Sequence, residues 1–203
     1  MNDRRIEKKF LIEKSSQEKY IHIIKSLPIK IKKKYSSRQV NNIYLDTQTN
    51  QSFADHLDGT NKRYKCRIRW YGGFYDFNSP ILEFKIKTNQ VTEKKKFYLF
   101  NDKKKKIDTN KESFLNFLSE QMRKNKIVNF IKNHKVSRII VYKRDYYESL
   151  SKNIRFTVDK DLEYKLWVNN KIKNDSSRNS VHKNFNIIEA KYDFELKHLL
   201  PSL

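Results

Sequence analysis

The stretch RYKCRIRWYG, residues 63–72, decides how this chain folds. Arg63, Lys65, Arg67, Arg69 and Tyr71 fall on one parity, and Tyr64, Cys66, Ile68 and Trp70 on the other. Successive side chains of a β-strand point to opposite faces. The stretch is therefore predicted as a strand with one face cationic and the other apolar. Gly72-Gly73 stops it. The cationic face is either the solvated outside of a sheet or the inside of a structure that holds an anion.

The neighbouring segments share the habit. Arg5, Glu7 and Lys9 alternate with Ile6, Lys8 and Phe10; Glu83, Lys85 and Lys87 alternate with Leu82, Phe84 and Ile86. Lys94 and Lys96, Tyr142 and Arg144, Arg155 and Asp159, and Glu189 and Lys191 repeat the pattern. An ordinary antiparallel sheet also alternates polar and apolar residues. Its solvent face, however, mixes Thr, Ser and Gln with charges, whereas here Arg and Lys recur at every second position with isolated Glu between them. Like charges facing each other across strands are destabilising, and a bound anion offsets the repulsion. A sheet of about eight strands closed into a barrel has room inside for one small ligand. The expected fold is thus α+β: an antiparallel β-barrel tunnel of about eight strands, its charged face inward and its apolar face covered by helices.

Strands are expected at residues 4–12, 40–47, 63–71, 81–87, 93–100, 137–149, 153–162, 165–168 and 186–193, with 81–100 forming a hairpin. Ser15 and Ser16 suit a helix N-cap before QEKYIHIIKSL, which Pro28 ends. A short helix is expected at 51–57, a longer one over 111–133, and a helical tail at FELKHLL. The lysine runs at 30–34 and 103–106 and the segment NDSSRNSVHKN are expected as polar loops. With only 3 Gly and 3 Pro, linkers are scarce, and residues 1–203 are expected to form a single domain.

The formal net charge is +22, from 45 Lys and Arg against 23 Asp and Glu. Part reflects a Lys-, Asn- and Ile-rich composition; the rest points to a polyanionic partner: nucleic acid, an anionic membrane surface or a phosphate-rich small molecule. Aromatic residues make up 13%, against disorder. Cys66 is the only cysteine, so no intramolecular disulfide forms, which fits a reducing cytoplasm. No apolar run approaches the ~18 residues of a membrane span, and MNDRRIEKKF lacks the apolar core of a signal peptide. The five histidines show no metal-ligand spacing, and Cys66 sits on the apolar parity without a nearby histidine, so thiol catalysis is not expected.

The opening strand Arg5-Ile6-Glu7-Lys8-Lys9, the strand VNNIYLDT, and KCRIRWYG, LEFKIK, KKKF, YKRDYY, IRFTVD and IIEAKYD in that order resemble the VTC domain of polyphosphate polymerases, within the CYTH-like triphosphate tunnel metalloenzymes. Arg5 stands where the wider superfamily has its first acidic residue. The resemblance implies catalytic clamping of a phosphoryl group by Arg67, Arg69, Arg144 and Arg155. It implies phosphate binding by Lys9, Lys65, Lys85, Lys94, Lys96 and Tyr142. Glu189 is implied as a ligand of Mn²⁺ or Mg²⁺, with Glu7 and Glu83 as further ligands or as charge balance. The implied substrates are ATP and polyphosphate, in the cytoplasm or at the inner membrane surface through a membrane-protein partner. The family's chain continues into a further helix with a phosphate-contacting Ser-Lys pair, and this sequence ends at Leu200-Pro201-Ser202-Leu203 without one. Two other functions compete: a metal-dependent triphosphatase, in which water replaces the chain end, and, less favoured, a non-catalytic module binding polyphosphate or nucleic acid, with Trp70 and Tyr71 stacking on bases.

Overall fold

The computed structural model describes residues 5–77, 79–89, 91–99, 110–124, 133–151, 153–169 and 171–199. Nine strands form: β1 (Arg5–Glu13), β2 (Ile31–Thr47), β3 (Lys62–Tyr71), β4 (Ile81–Thr88), β5 (Val91–Tyr98), β6 (His134–Ser149), β7 (Ile154–Val168), β8 (Lys171–Asn174) and β9 (Phe185–Asp193). Among the described residues the α-helices are α1 (Gln17–Ser26), α2 (Gln51–Leu57), α3 (Lys111–Lys124) and α4 (Ser176–His182). The hydrogen-bonded order is β1-β9-β7-β6-β2-β3-β4-β5, with β8 on β7. The expected antiparallel sheet with helices is present. Among the described residues its hydrogen-bonded order has nine strands and ends at β1 and β5, where about eight strands and closure were expected.

The chain divides into two compact units: residues 1–38, 142–162 and 177–203, and residues 39–141 and 163–176. In the second, the apolar parity of β3 and β4 is the core. Cys66, Ile68, Trp70 and Leu82 are buried with Ile43 of β2 and with Phe114 and Leu118 of α3. The Trp70 ring lies 4.9 Å from Phe77, and Phe114 stacks 5.0 Å from Trp167. Trp70 donates its indole N–H to the Phe74 carbonyl at 3.1 Å, so its polar edge is satisfied inside the core. In the first unit, Ile12, Phe156, Val158, Ile188 and Tyr192 form the core, and Ile24 of α1 packs into it. Both amphipathic helices thus cover apolar sheet faces, as the periodicity implies.

Several segments differ from the sequence reading. β2 starts at Ile31, not near 40, so the lysine run at 30–34 enters a strand. No apolar alternation marks this half, because cross-strand ion pairs hold it instead: Lys33 to Asp145 at 2.9 Å and Lys34 to Glu148 at 2.5 Å. Residues 153–162 and 165–168 belong to one strand, β7, which passes through a left-handed residue, Asp161 (φ 51°). The polar segment after Asp175 is the short helix α4 rather than a loop. Its Asp-Ser-Ser start is of helix-capping type, while its one apolar residue, Val181, leaves no periodicity to read. The tail is a 3-10 helix, Phe194–Leu199. The lysine run at 103–106 and the second half of the helix expected over 111–133 lie outside the described residues.

Candidate functional site

In the second unit the antiparallel register aligns the charged parity into transverse rows. Tyr44 of β2 pairs with Arg67, Arg67 with Glu83, and Glu83 with Lys96. The next row is Lys65, Lys85 and Lys94. Asn42 opposite Arg69 begins the row on the other side. One face of three adjacent strands therefore carries Lys65, Arg67, Arg69, Lys85, Lys94 and Lys96 around one carboxylate, Glu83. These are seven of the residues that the sequence singles out.

The arginines of this face are held. Arg67 donates from Nε to Glu83 Oε2 at 2.8 Å, its Nη2 lies 2.7 Å from the same oxygen, and Nη1 reaches the Tyr44 hydroxyl at 3.4 Å. Arg69 donates from Nε to Asn42 Oδ1 at 2.9 Å, and Asn42 in turn donates to the Ile140 carbonyl. Burial alone would raise the Glu83 carboxyl, but the Arg67 and Arg69 guanidiniums outweigh it and hold Glu83 below the usual carboxylate range. The Glu83 carboxylate thereby fixes the Arg67 fork. Lys65 Nζ sits 2.9 Å from His56 Nε2 of α2. Helix α2 is anchored by Asp46, whose carboxylate accepts the backbone N–H groups of Ser52 and Phe53.

The first unit holds the other candidates. Glu7 of β1 pairs with Lys191 of β9, Lys191 with Arg155 of β7, and Lys9 with Glu189. Lys191 Nζ bridges Glu189 at 2.7 Å and Glu7 at 3.3 Å, and Lys9 Nζ lies 3.6 Å from each. Burial pushes the Glu189 carboxyl up, and the Lys191 and Lys9 ammoniums more than reverse this, holding it below the usual carboxylate range. Arg144 of β6 donates twice to Asp159, at 2.5 and 2.6 Å, and lies 5.2 Å from the Tyr142 ring. Arg155 contacts Glu148 at 2.9 Å.

The structure thus brings Glu7, Lys9 and Glu189 together, places Arg144 beside Tyr142, and gathers seven residues on β3–β5. Glu83 lies in a different unit from Glu7 and Glu189. The acidic partners Asp159 and Glu148, and Asn42 and Tyr44 of β2, were not among the expected site residues. Asn42 and Tyr44 alternate with Ile43 and Leu45, so the same period-two signal was there. Asp159 shares the charged parity of Arg155, and Glu148 that of Arg144, but the period does not say which arginine each one meets, because strand register alone makes them partners. Cys66 is 1% exposed, and burial pushes its thiol upward, so it is an inert core residue.

Among the described residues no group of three or more Asp, Glu, His and Cys side chains could enclose a metal. The Glu7–Glu189 pair still fits a hard divalent ion, because Mg²⁺-type sites use one or two carboxylates and take the remaining ligands from phosphate and water. The two carboxylates already converge on one cationic atom, Lys191 Nζ.

No curated protein matches the chain. Among solved structures, a candidate adenylate cyclase from Vibrio parahaemolyticus is 8% identical, with 95% of this chain and 78% of that chain covered and a TM-score of 0.48. A candidate adenylyl cyclase from Hippeastrum, described as having a dominant triphosphatase activity, is 12% identical, with coverages of 92% and 78% and a TM-score of 0.48. A candidate adenylate cyclase from Bacillus halodurans is 13% identical, with coverages of 99% and 94% and a TM-score of 0.47. Likeness this distant transfers no activity. The sequence profile of the VTC domain matches residues 4–203, nearly the whole chain, and the protein belongs to the VTC domain family.

Proposed function

We propose that this chain is an ATP-dependent polyphosphate polymerase. The observation that carries the reading is the register on β3–β5, which sets Lys65, Lys85 and Lys94 directly opposite one another beside Arg67, Arg69 and Lys96. Such a row is costly by itself and suits a ligand with closely spaced negative charges, such as a phosphate chain. Family membership supports the same substrate class.

In the proposed reaction the terminal phosphate oxygen of a polyphosphate chain attacks the γ-phosphorus of ATP. The bond from that phosphorus to the β,γ-bridging oxygen breaks, and ADP leaves. Phosphoryl transfer asks mainly for in-line positioning and for charge neutralisation. Arg67, Arg69, Arg144 and Arg155 supply donors to the phosphoryl oxygens, and Lys9, Lys65, Lys85, Lys94 and Lys96 hold the rest of the chain by charge. Tyr142 supplies a hydroxyl. Glu83, Asp159 and Glu148 act as positioning residues that fix the arginine forks. Glu189 and Glu7 would hold Mn²⁺ or Mg²⁺, which when bound supplies further neutralisation of phosphate oxygens.

The test is incubation with ATP and Mn²⁺, followed by gel electrophoresis for polyphosphate and a free-phosphate assay. Chains are the expected product. Free phosphate without chains replaces the polymerase by a triphosphatase, and neither product from a protein that still binds tripolyphosphate leaves a binding module.

A further inference from the structure

One cluster in the first unit is not used by the phosphate chemistry. Arg38 of β2 places its guanidinium 4.2 Å from the centroid of the Tyr35 ring and 6.0 Å from that of Tyr146 on β6. The two tyrosine rings meet edge to face, 5.7 Å apart at 83°. Lys34 Nζ lies 5.5 Å from the Tyr35 ring. Tyr35 is 41% exposed, so this aromatic surface faces solvent. A phosphate chain has no flat face, and nothing in its chemistry calls for paired tyrosines with a stacked guanidinium. Aromatic rings and guanidinium planes are the groups on which nucleobases stack.

The location supports a nucleotide. Tyr146 follows Arg144 by two positions, on the same face of β6 and roughly 6.6 Å along it. Two positions further, Glu148 holds Arg155. Arg144 on one side of Tyr146 and Arg155 on the other thus flank a base on the tyrosines, and the ribose would lead its phosphates to one of them. We propose that Tyr35, Arg38 and Tyr146 form a stacking site for the base of the donor nucleoside triphosphate. The inference rests on the proposed phosphate role of Arg144 and Arg155. Stacking reads the π-face and not the edge of a base, so ATP and GTP bind alike.

The experiment is calorimetric titration of ATP, GTP and tripolyphosphate, each with Mn²⁺, into wild type, Tyr35→Ala, Tyr35→Phe and Arg38→Ala, with circular dichroism to check folding. Stacking predicts that Tyr35→Ala weakens ATP and GTP by about tenfold, leaves tripolyphosphate unchanged, and that Tyr35→Phe restores nucleotide affinity. Arg38→Ala gives the same selective loss if Tyr35→Ala does not fold. Equal loss for nucleotides and tripolyphosphate, or no loss for nucleotides, overturns the stacking site and leaves the phosphate reading standing. Wild type that binds neither ATP nor tripolyphosphate overturns both.

Discussion

At the scale of single residues, the arginines Arg67 and Arg144 are each held by a carboxylate. Arg67 with Glu83 and Arg144 with Asp159 each share donors and acceptors across neighbouring strands. Arg67→Ala is expected to abolish chain synthesis in the gel assay. It also leaves the half-buried Glu83 carboxylate without its guanidinium, at a cost of about 1–3 kcal/mol in urea unfolding. Arg67→Ala combined with Glu83→Gln recovers part of that stability and none of the activity, which separates the structural from the chemical role. Two charge-paired carboxylates, Glu83 and Glu189, set an acid limit. Glu83 and Glu189 have pKa values lowered below the ordinary 4.5. Their stabilising contribution is complete above that value and is lost as pH falls through the lowered ones. The melting temperature should therefore drop on acidification below about 4.5, and Glu189→Gln should flatten that drop. An unchanged slope removes Glu189 from the account.

At the scale of elements, helix α3 and strand β3 show what the alternation is for. Phe114 is 1% exposed and touches Phe77 and Trp167. Phe114→Ala should cost about 3–5 kcal/mol in urea unfolding, because the cavity opens under a helix held by that face. On the opposite face of the sheet, Lys85 is exposed and stands between Lys65 and Lys94. Lys85→Gln should change the stability of the anion-free protein by no more than about 0.5 kcal/mol. It should clearly reduce the rise in melting temperature produced by tripolyphosphate. An undiminished rise places the anion elsewhere. Elements with one apolar parity were legible in the sequence, as β3 and β4 show. The first half of β2 was not, since its order comes from Lys33 and Lys34 finding Asp145 and Glu148 more than a hundred positions away. No local period encodes such a pair.

At the scale of the whole molecule, the formal net charge is +22, and register sets part of it in close rows such as Lys65, Lys85 and Lys94, whose repulsion an anion would offset. Tripolyphosphate is expected to raise the melting temperature by mass action, and added salt should shrink that rise through screening. No helix among the described residues is long and apolar enough to cross a membrane. The sequence by itself determined which residues alternate, which faces are apolar, and which family's motifs they match, because these depend only on the two-residue period of a strand and on order along the chain. Beyond the hairpin at 81–100, only the tertiary structure decided which strand lies beside which. That choice turned separate lysines into the Lys65–Lys85–Lys94 row, gave Arg67, Arg144 and Arg155 their acidic partners, and set Tyr35 and Arg38 against Tyr146. The physical reason is that register is a long-range outcome of burying every apolar face at once, and cross-strand neighbours follow from register alone.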